Sequence, residues 1–257
     1  MKRLDRIARI MELLEEQGNA STVFLSKALD ISESSMRRDI NCMVTLPKYS
    51  DVSRVHGGVV LDRSMVGLEY MLELKLDLNR GLKQAVAREA SKLIHDGESI
   101  IIDSGTTCLY LAQYLHERKG LRVVTTDVKI AEELGKHGNI ESNIIGGIIR
   151  PGYYTVGGIV ALDNLNRFSA EKVFMSVDAI DTEHGITNAS EFEVGIKQRL
   201  IQMGIHVYIL ADLTKFNTCT LYKVAGITEV DTIIANRSLD ESLANRIRDC
   251  GVELLLV

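Results

Sequence analysis

Residues 32–43 read Ser-Glu-Ser-Ser-Met-Arg-Arg-Asp-Ile-Asn-Cys-Met. Met36, Ile40 and Met43 recur at the spacing i, i+4, i+7, which predicts a helix that buries these three side chains. Ser32 is a favoured N-cap residue for such a helix. The opposite face carries hydroxyl, guanidinium and amide groups, which are the groups that read base edges in the major groove of DNA. These candidate DNA contacts are Ser34, Ser35, Arg37, Arg38 and Asn41.

Two further helices are predicted before this segment. Apolar residues recur at helical spacing over residues 4–14, and Gly18 suits the position after the helix end. A shorter helix is predicted over residues 22–29, with Ser21 as its N-cap. Its expected buried residues are Val23, Leu25, Ala28 and Leu29. On periodicity alone, the three helices fit either a DNA-binding unit or an ordinary bundle with a solvated arginine pair.

A predicted hairpin follows the three helices. Residues 54–61, Arg-Val-His-Gly-Gly-Val-Val-Leu, read as strand, turn and strand. A winged helix-turn-helix domain places its hairpin at this point, and a basic residue there can contact phosphate or the minor groove. The hairpin therefore favours the DNA-binding interpretation. It adds Arg54 and His56 to the candidate DNA contacts.

Charge and composition limit the remaining classes of protein. The net charge is −5, but residues 1–63 carry ten Lys/Arg and nine Asp/Glu, a net +1, and the remainder carries −6. DNA binding would therefore rest on a local basic cluster. The four cysteines are scattered without metal-ligand spacing, so we expect reduced thiols and no metal site. No apolar run approaches the roughly 18 residues of a membrane span, and a cytoplasmic protein is expected.

The pattern after residue 81 is typical of an α/β domain. Apolar runs alternate with helical stretches, which predicts a doubly wound domain over residues 82–257, joined by a linker at residues 62–81 to an N-terminal domain at residues 1–61. The predicted strands are Ser99–Asp103, Arg122–Thr125, Ile140–Ile145, Lys172–Val177, His206–Leu210, Thr232–Ala235 and Val252–Val257.

Polar residues follow these predicted strands at successive ends, where open α/β sheets bind ligands. Residues 103–107, Asp-Ser-Gly-Thr-Thr, end a strand and open a helix, so free helix N–H groups could hold a phosphate. Any one such turn is also explained by helix capping, but the repetition favours a ligand site. The candidate ligand residues are Asp103, Ser104, Gly105, Thr106, Thr107, Thr126, Gly146, Gly147, Asp178, Asp181, Glu191, Lys197 and Lys215.

The chain resembles the DeoR family of transcription regulators over about residues 3–257. The resemblance rests on the helix pattern S-x-x-S-x-R-R-D-I at residues 32–40, on R-V-H-G-G at residues 54–58, and on D-x-x-K-F at residues 212–216. It implies a sensor domain with a fold similar to ribose-5-phosphate isomerase and an effector that is a phosphorylated sugar or sugar alcohol. By resemblance, residues 103–107 would hold phosphate or a hydroxyl, and Lys197 would pair with an anionic group. Asp178, Asp181 and Glu191 would meet sugar hydroxyls, and Lys215 would serve or brace the site.

The expected function is a DNA-binding regulator, a repressor of a carbohydrate-utilisation operon. Its expected partners are double-stranded operator DNA, the phosphorylated effector and further copies of itself in a homodimer or homotetramer, with no membrane and no cofactor. Two alternatives stay open. One is a sugar-phosphate isomerase-like enzyme with an accessory DNA-binding head, in which Asp103 and Asp181 would act as acid and base. The other is a DNA-binding scaffold whose ligand pocket no longer functions.

Overall fold

The computed structural model describes residues 3–46, 49, 52–55, 57–61, 72, 75–150 and 153–257. The chain divides into two compact units, Met1–Leu78 and Asn79–Val257. The predicted linker spans this division, and most of it, including residues 62–71, lies outside the described residues. Among the described helices, none combines the length and apolar character needed to cross a membrane.

The N-terminal unit combines helices with a small antiparallel sheet. Its elements are α1 (Arg3–Gln17), β1 (Asn19–Ser21), α2 (Thr22–Ala28), α3 (Glu33–Val44), β2 (Val52–Val55) and β3 (Gly58–Leu61). The predicted hairpin is formed by β2 and β3, and β1 pairs with the other side of β3. The predicted winged helix-turn-helix architecture is therefore confirmed, with β1 as an additional strand that is too short to have a sequence signal.

Local sequence explains the ends of these helices. Ser21 accepts a hydrogen bond from the Phe24 N–H at 3.0 Å, and Ser32 accepts one from the Ser35 N–H at 3.3 Å, so both predicted N-caps are confirmed. The predicted inner stripe of α3 is also buried: Met36 and Met43 are fully covered, and Ile40 is nearly so.

The buried face of α2 differs from the prediction. Val23 and Ala28 are exposed, whereas Thr22 and Ser26 are buried beside Leu25. The inward spacing is therefore i, i+3, i+4 from Thr22. The Ser26 hydroxyl can be buried because it donates to the Val23 carbonyl at 2.9 Å, within its own helix.

The C-terminal unit begins with α4 (Arg80–Lys92) and contains the ligand-site candidates. Its other helices are α5 (Thr106–Gln113), α6 (Val128–Gly135), α7 (Ile159–Leu165), α8 (Glu191–Met203) and α9 (Glu241–Asp249). The strands of its main sheet are β4 (Ser99–Ile102), β5 (Leu121–Thr125), β6 (Ile140–Ile144), β9 (Ala170–Ser176), β12 (Gly204–Leu210), β14 (Thr232–Ala235) and β15 (Glu253–Leu256). Smaller strands are β7 (Ile148–Ile149), β8 (Val156–Gly157), β10 (Ala179–Asp181), β11 (Gly185–Asn188) and β13 (Tyr222–Ala225).

The main sheet is parallel and has the strand order β15-β14-β12-β9-β4-β5-β6. All seven of its strands were predicted, and the predicted doubly wound α/β class is confirmed. Strands such as β4 and β9 are buried on both faces, which is why they read as continuous apolar runs. The chain runs outward from β4 to β6 on one side and from β9 to β15 on the other. The order thus reverses between β4 and β9, and open α/β sheets bind ligands at the carboxyl ends of the strands at such a reversal.

Two small antiparallel additions accompany the main sheet. β10, β11 and β13 form a three-stranded sheet, and β7 pairs with β8 in a hairpin. These strands have two to four residues each, so their sequences lack an extended alternation of apolar and polar residues.

Candidate functional site

A buried ion pair lies at the point where the strand order reverses. Asp103 directly follows β4, and its Oδ2 accepts a hydrogen bond from the Lys197 Nζ at 2.5 Å. The same Nζ donates to the Ser176 carbonyl, at the end of β9, at 2.8 Å. Asp103 and Lys197 are only 1% and 2% exposed. The structure therefore brings two predicted site residues together at the position that the topology favours for a ligand.

Helix α8 supplies the cation of this pair. Glu193, Ile196, Lys197 and Leu200 form its buried face at the spacing i, i+3, i+4, i+7. Glu193 Oε2 lies 3.9 Å from the Lys197 Nζ, and Glu193 Oε1 accepts a hydrogen bond from Arg150 Nη1 at 2.5 Å. Negative and positive charges therefore alternate along a row of four residues that runs from the end of β4 to the end of β7. In order, they are Asp103, Lys197, Glu193 and Arg150. We call these four residues the ion chain.

The charge of Lys197 is maintained by its neighbours. Burial disfavours the ammonium, but the carboxylates of Asp103 and Glu193 more than offset this effect and raise the pKa of Lys197. Burial also raises the pKa of Asp103, and Lys197 opposes that change. Two of the three N–H donors of Lys197 are used by Asp103 and Ser176. The third donor has no hydrogen-bond acceptor among the described residues, because the Glu193 oxygen is too distant.

The turn after Asp103 has the form of an anion cradle. Gly105 has a φ of +111°, and a Cβ at this position would lie 2.6 Å from the Ser176 Oγ. Gly105 is also the N-cap of α5 and provides no side-chain cap, so the first N–H groups of the helix lack that partner. Thr106 is half-buried, and Ser104 and Thr107 are buried. Helix N–H groups beside a lysine ammonium form a site suited to phosphate.

The end of β5 supports this turn. The Thr126 hydroxyl, which is fully buried, donates to Asp103 Oδ1 at 3.1 Å. Its neighbour Asp127 caps α6 by accepting from the Lys129 and Ile130 N–H groups at 2.8 and 3.2 Å. Burial raises the pKa of Asp127, while these N–H donors lower it. The predicted candidate Thr126 therefore holds the Asp103 oxygen that Lys197 does not bond.

Gly146 and Gly147 lie between β6 and the β7–β8 hairpin. Gly147 has a φ of +157°, and a Cβ there would lie 2.6 Å from the Gly157 carbonyl oxygen. At Gly146 a Cβ would meet only the Asn164 Oδ1, at 3.6 Å. The lack of a side chain at Gly147 therefore permits its backbone to lie close to Gly157 of the hairpin. At Gly146, by contrast, the surroundings leave room for a Cβ.

The remaining carboxylate candidates have different positions. Asp178 is exposed, accepts from the Ala189 N–H at 2.9 Å, and contributes to the raised pKa of Lys197. Glu191 is exposed in the first turn of α8. Asp181 is the last residue of β10, and its Oδ1 accepts from the His184 and Glu183 N–H groups of the following turn, each at 2.9 Å. These bonds lower its pKa. Asp178 therefore lies close to the ion chain, whereas the Asp181 carboxylate is used by hydrogen bonds within its own turn.

Lys215 ends a short 3₁₀ helix, Leu213–Lys215, which follows β12. Its side chain is half-buried, and Asp212 begins the turn by accepting from the Thr214 N–H at 2.9 Å. Asp212 Oδ2 is buried and, among the described residues, has no hydrogen-bond partner. β12 lies next to β9, so this turn is at the same edge of the sheet as Ser176.

The polar face of α3 is accessible. Ser34, Arg37, Arg38 and Asn41 are exposed, and Ser35 is half-buried. The Arg37 Nη2 donates to Glu33 at 3.2 Å within the helix, and the Arg38 Nη2 donates to the Ser35 hydroxyl at 3.2 Å. These surface contacts are weak and can be exchanged for contacts with phosphates or bases.

Among the described residues, a hydrogen bond joins the wing to the recognition helix. Arg54, on β2, donates a hydrogen bond to the Asn41 side chain of α3. These two exposed candidates are therefore in direct contact. The third candidate of this region, His56, lies outside the described residues.

Comparison with known proteins decides the family. A model of the DeoR C-terminal sensor domain matches residues 78–237, and a model of the DeoR-like helix-turn-helix domain matches residues 6–65. The chain belongs to the DeoR family of transcription regulators. An Escherichia coli protein named "Putative sgc region transcriptional regulator" is 39% identical, over 99% of this chain and 97% of its own length. The glycerol-3-phosphate regulon repressor of Haemophilus influenzae is 27% identical, over 100% of this chain and 98% of its own length.

A solved structure of ribose 5-phosphate isomerase A from Methanocaldococcus jannaschii is similar at a TM-score of 0.41 and 17% identity, over 54% of this chain and 55% of that chain.

The DeoR family assignment gives each unit of this chain its role. The N-terminal unit is the DNA-binding domain, and the C-terminal unit, with the ion chain, is the sensor domain.

Sequence reasoning missed several side-chain contacts of this DeoR regulator. Glu193 and Arg150 are separated by 43 residues, and no local pattern predicts their ion pair. Asp39 is buried in α3 and accepts hydrogen bonds from Arg6 at 2.6 Å and from Arg3 at 3.1 Å. This carboxylate connects α3 to α1, so one residue of the S-x-x-S-x-R-R-D-I pattern positions the recognition helix rather than contacting DNA. The sequence signal for this contact was the position of Asp39, which lies on the apolar side of the predicted helix beside Met36, Ile40 and Met43.

A separate groove of about 840 Å³ lies between α4 and β15. Arg88, Arg237 and Arg248 line it, and none of the predicted ligand residues does. Among the described residues, buried charges, strand ends and a helix N-terminus converge at the ion chain, which makes it the candidate ligand site.

Proposed function

We propose that this DeoR regulator represses a carbohydrate-utilisation operon and that a phosphorylated sugar or sugar alcohol controls it from the switch-point site. One observation carries the proposal: a charged, buried Lys197 with a free donor lies near the N-terminus of α5, which has no side-chain cap. Phosphate is the ligand group that both features favour. The name of the relative in Haemophilus influenzae, a glycerol-3-phosphate regulon repressor, supports the same class of ligand.

The phosphate would accept hydrogen bonds from the N–H groups of Thr106 and Thr107 and from the Lys197 ammonium. Sugar hydroxyls would be donors to Asp178 and Glu191, whose carboxylates are exposed. We assign no catalytic step to Asp103, because its two oxygens are held by Lys197 and Thr126. Binding without conversion is the behaviour that a sensor requires.

A calorimetric titration of the full chain with glycerol 3-phosphate, ribose 5-phosphate, glucose 6-phosphate and fructose 6-phosphate tests the ligand class. At least one of these compounds should bind, its unphosphorylated form should not, and NMR should recover it unchanged. Binding of the free sugars as tightly as their phosphates, or conversion of the bound compound, would contradict the proposal.

The recognition helix is tested separately with DNA. A duplex selected by the protein from a random-sequence library should bind the wild type, and Arg37→Ala/Arg38→Ala should weaken binding about 100-fold or more, since a good arginine–base contact contributes roughly 1–3 kcal/mol. Arg9→Ala, which removes an exposed arginine of α1, serves as the control. Equal binding by the double variant and the control would refute the assigned role of α3.

We further propose that the regulator acts as a homodimer or a homotetramer on its operator. The DNA-binding unit has a net charge of only about +1 over residues 1–63 and offers one recognition helix. Two heads on two half-sites would supply the affinity and the sequence specificity that one head lacks.

A further inference from the structure

Four cationic side chains line the groove between α4 and β15. They are Arg88 and Lys92 on α4, Arg237 after β14, and Arg248 on α9. The acidic side chain among the lining residues is Glu89, whose Oε2 lies 2.6 Å from the Lys92 Nζ. The side chains around this cavity of about 840 Å³ therefore carry four positive charges and one negative charge. We call it the basic groove.

The three arginines of the basic groove have neutral partners. The guanidinium carbon of Arg88 lies 5.7 Å from the centroid of the Tyr114 ring, and Arg248 Nη1 donates to the Asn245 Oδ1 at 3.1 Å. In the part of the chain that the structure describes, no carboxylate forms an ion pair with Arg88, Arg237 or Arg248. Cations that are held close together without counter-charges favour an anionic ligand, although the chain after residue 63 has a net charge of −6.

The basic groove is long, and one of its sides is apolar. Its lining residues on α4 include four at the spacing i, i+4, i+7, i+11, so the groove follows this helix over about 17 Å: Gly81, Ala85, Arg88 and Lys92. Residues 254–257, Leu-Leu-Leu-Val, line the side formed by β15. A cavity of this kind suits an elongated ligand that combines several anionic groups with an apolar group.

Tyr114 positions one of the cations. It is the C-cap residue of α5 and is half-buried, so its ring is held at the end of the helix. The face of this ring attracts the Arg88 guanidinium, which therefore stays at the groove instead of moving freely in solvent. A cation that is already positioned loses less conformational entropy when a ligand binds.

We propose that the basic groove binds a nucleoside triphosphate. Guanidinium groups bind phosphate oxygens in pairs, and a chain of three phosphates carries enough charge to engage several of them. The nucleobase would lie against the apolar side at residues 254–257. A sugar monophosphate has one anionic group and would leave most of the groove empty. The inference goes beyond the proposed function and does not depend on it, because the groove shares no lining residue with the ion chain.

Isothermal titration calorimetry of the full chain tests the site. In magnesium-free buffer at about 0.15 M ionic strength, ATP and GTP should bind, whereas adenosine and guanosine should not. Inorganic triphosphate should bind at least about tenfold more weakly than ATP, because it cannot use the apolar side of the groove.

Substitutions on the wall opposite α4 locate the binding. Arg237→Ala/Arg248→Ala should raise the dissociation constant for ATP at least about 100-fold, because each hydrogen-bonded arginine–phosphate contact contributes about tenfold or more. Arg122→Ala/Arg167→Ala is the matched control: it removes two exposed arginines that do not line the groove, and it should bind ATP like the wild type. If the groove variant does not fold, Arg248→Gln decides the question. This exposed position in the last turn of α9 should by itself weaken ATP binding about tenfold.

Three results would overturn the inference. They are a wild type that binds neither ATP nor GTP, equal ATP binding by the folded groove variant and the control, and a groove variant that loses affinity for an unrelated DNA duplex while the control keeps it. The last result would show that the groove contacts nucleic acid instead.

The same variants separate this inference from the proposed function. The groove variant should bind glycerol 3-phosphate, ribose 5-phosphate, glucose 6-phosphate and fructose 6-phosphate as the wild type does, because the ion chain is unchanged. If none of these four compounds binds to the wild type but ATP binds and the groove variant loses it, the proposed ligand class fails and the nucleotide site stands.

Discussion

At the scale of single residues, the proposed sensor site depends most on Lys197. The sequence predicted Asp103 and Lys197 as candidates, because strand-end carboxylates and a helix lysine can be recognised locally. It did not predict that they pair with each other, since 94 residues separate them. The chain of contacts to Glu193 and Arg150 was hidden for the same reason: partners of buried charges are set by tertiary structure.

Substitutions at Lys197 should show that sugar-phosphate binding and the free energy of unfolding depend on this residue in different ways. Lys197→Met leaves Asp103 buried without its cation, and removal of one partner of a buried pair costs about 3–5 kcal/mol. Urea unfolding should show this loss, and calorimetry should show no binding of the sugar phosphate. Asp103→Leu/Lys197→Met should recover much of the stability but none of the binding. The control is Lys223→Met, at an exposed lysine on β13, which should change neither the free energy of unfolding nor sugar-phosphate binding. Binding of the sugar phosphate by the double variant would contradict the role of Lys197.

The buried thiol of Cys108 should make the free energy of unfolding depend on pH and should itself be protected from modification. Burial raises the pKa of its thiol to about 12, and the nearby Asp103 carboxylate adds to this effect. Iodoacetamide at pH 8 should therefore modify the exposed Cys219 and leave Cys108 unmodified until the chain unfolds. Since the folded state keeps its proton more tightly, the free energy of unfolding should fall as pH rises from about 9 to about 12. Cys108→Ala should remove this part of the slope. Rapid modification of Cys108 in the folded protein would show that the thiol is accessible.

At the scale of elements, the central strands were predictable and the short ones were not. The central strands of the main sheet, such as β4 and β9, are buried on two faces, so they appear as apolar runs between turns. Strands such as β7 and β8 contain two residues each and owe their pairing to Gly147, whose backbone lies against the Gly157 carbonyl. The wrong assignment of Val23 and Ala28 has a related cause. Short hydroxyl side chains can be buried when they bond within their own helix, and apolarity alone does not reveal this.

The turn from β4 to α5 is predicted to tolerate no side chain at Gly105. In Gly105→Ala, a Cβ would meet the Ser176 Oγ at 2.6 Å, and the φ of +111° would be strained by about 1–3 kcal/mol. Urea unfolding should show a loss of that size or more, and sugar-phosphate affinity should fall at least about tenfold. Gly135→Ala, at a glycine with open space around it, is the control and should leave binding unchanged. Unaltered affinity in Gly105→Ala would exclude the close backbone approach as part of the ligand site.

At the scale of the whole molecule, charge and function are divided between the two units. The remainder of the chain after residue 63 carries a net −6, which disfavours non-specific contact of the sensor with DNA, while the head has a local basic face. A ligand can alter operator binding only if it binds two states of the regulator with different affinity. Typical coupling of about 1–3 kcal/mol corresponds to a change of roughly 5- to 150-fold.

Fluorescence anisotropy of a labelled operator duplex, titrated with the full chain at fixed salt concentration, tests this coupling most directly. With the sugar phosphate that calorimetry identifies, the dissociation constant for DNA should rise roughly 5- to 150-fold for the wild type. It should not change for Lys197→Met, whose DNA-binding domain is intact. A wild-type affinity for DNA that is the same with saturating ligand as without it would contradict the central claim that the ion chain senses a phosphate and controls the recognition helix.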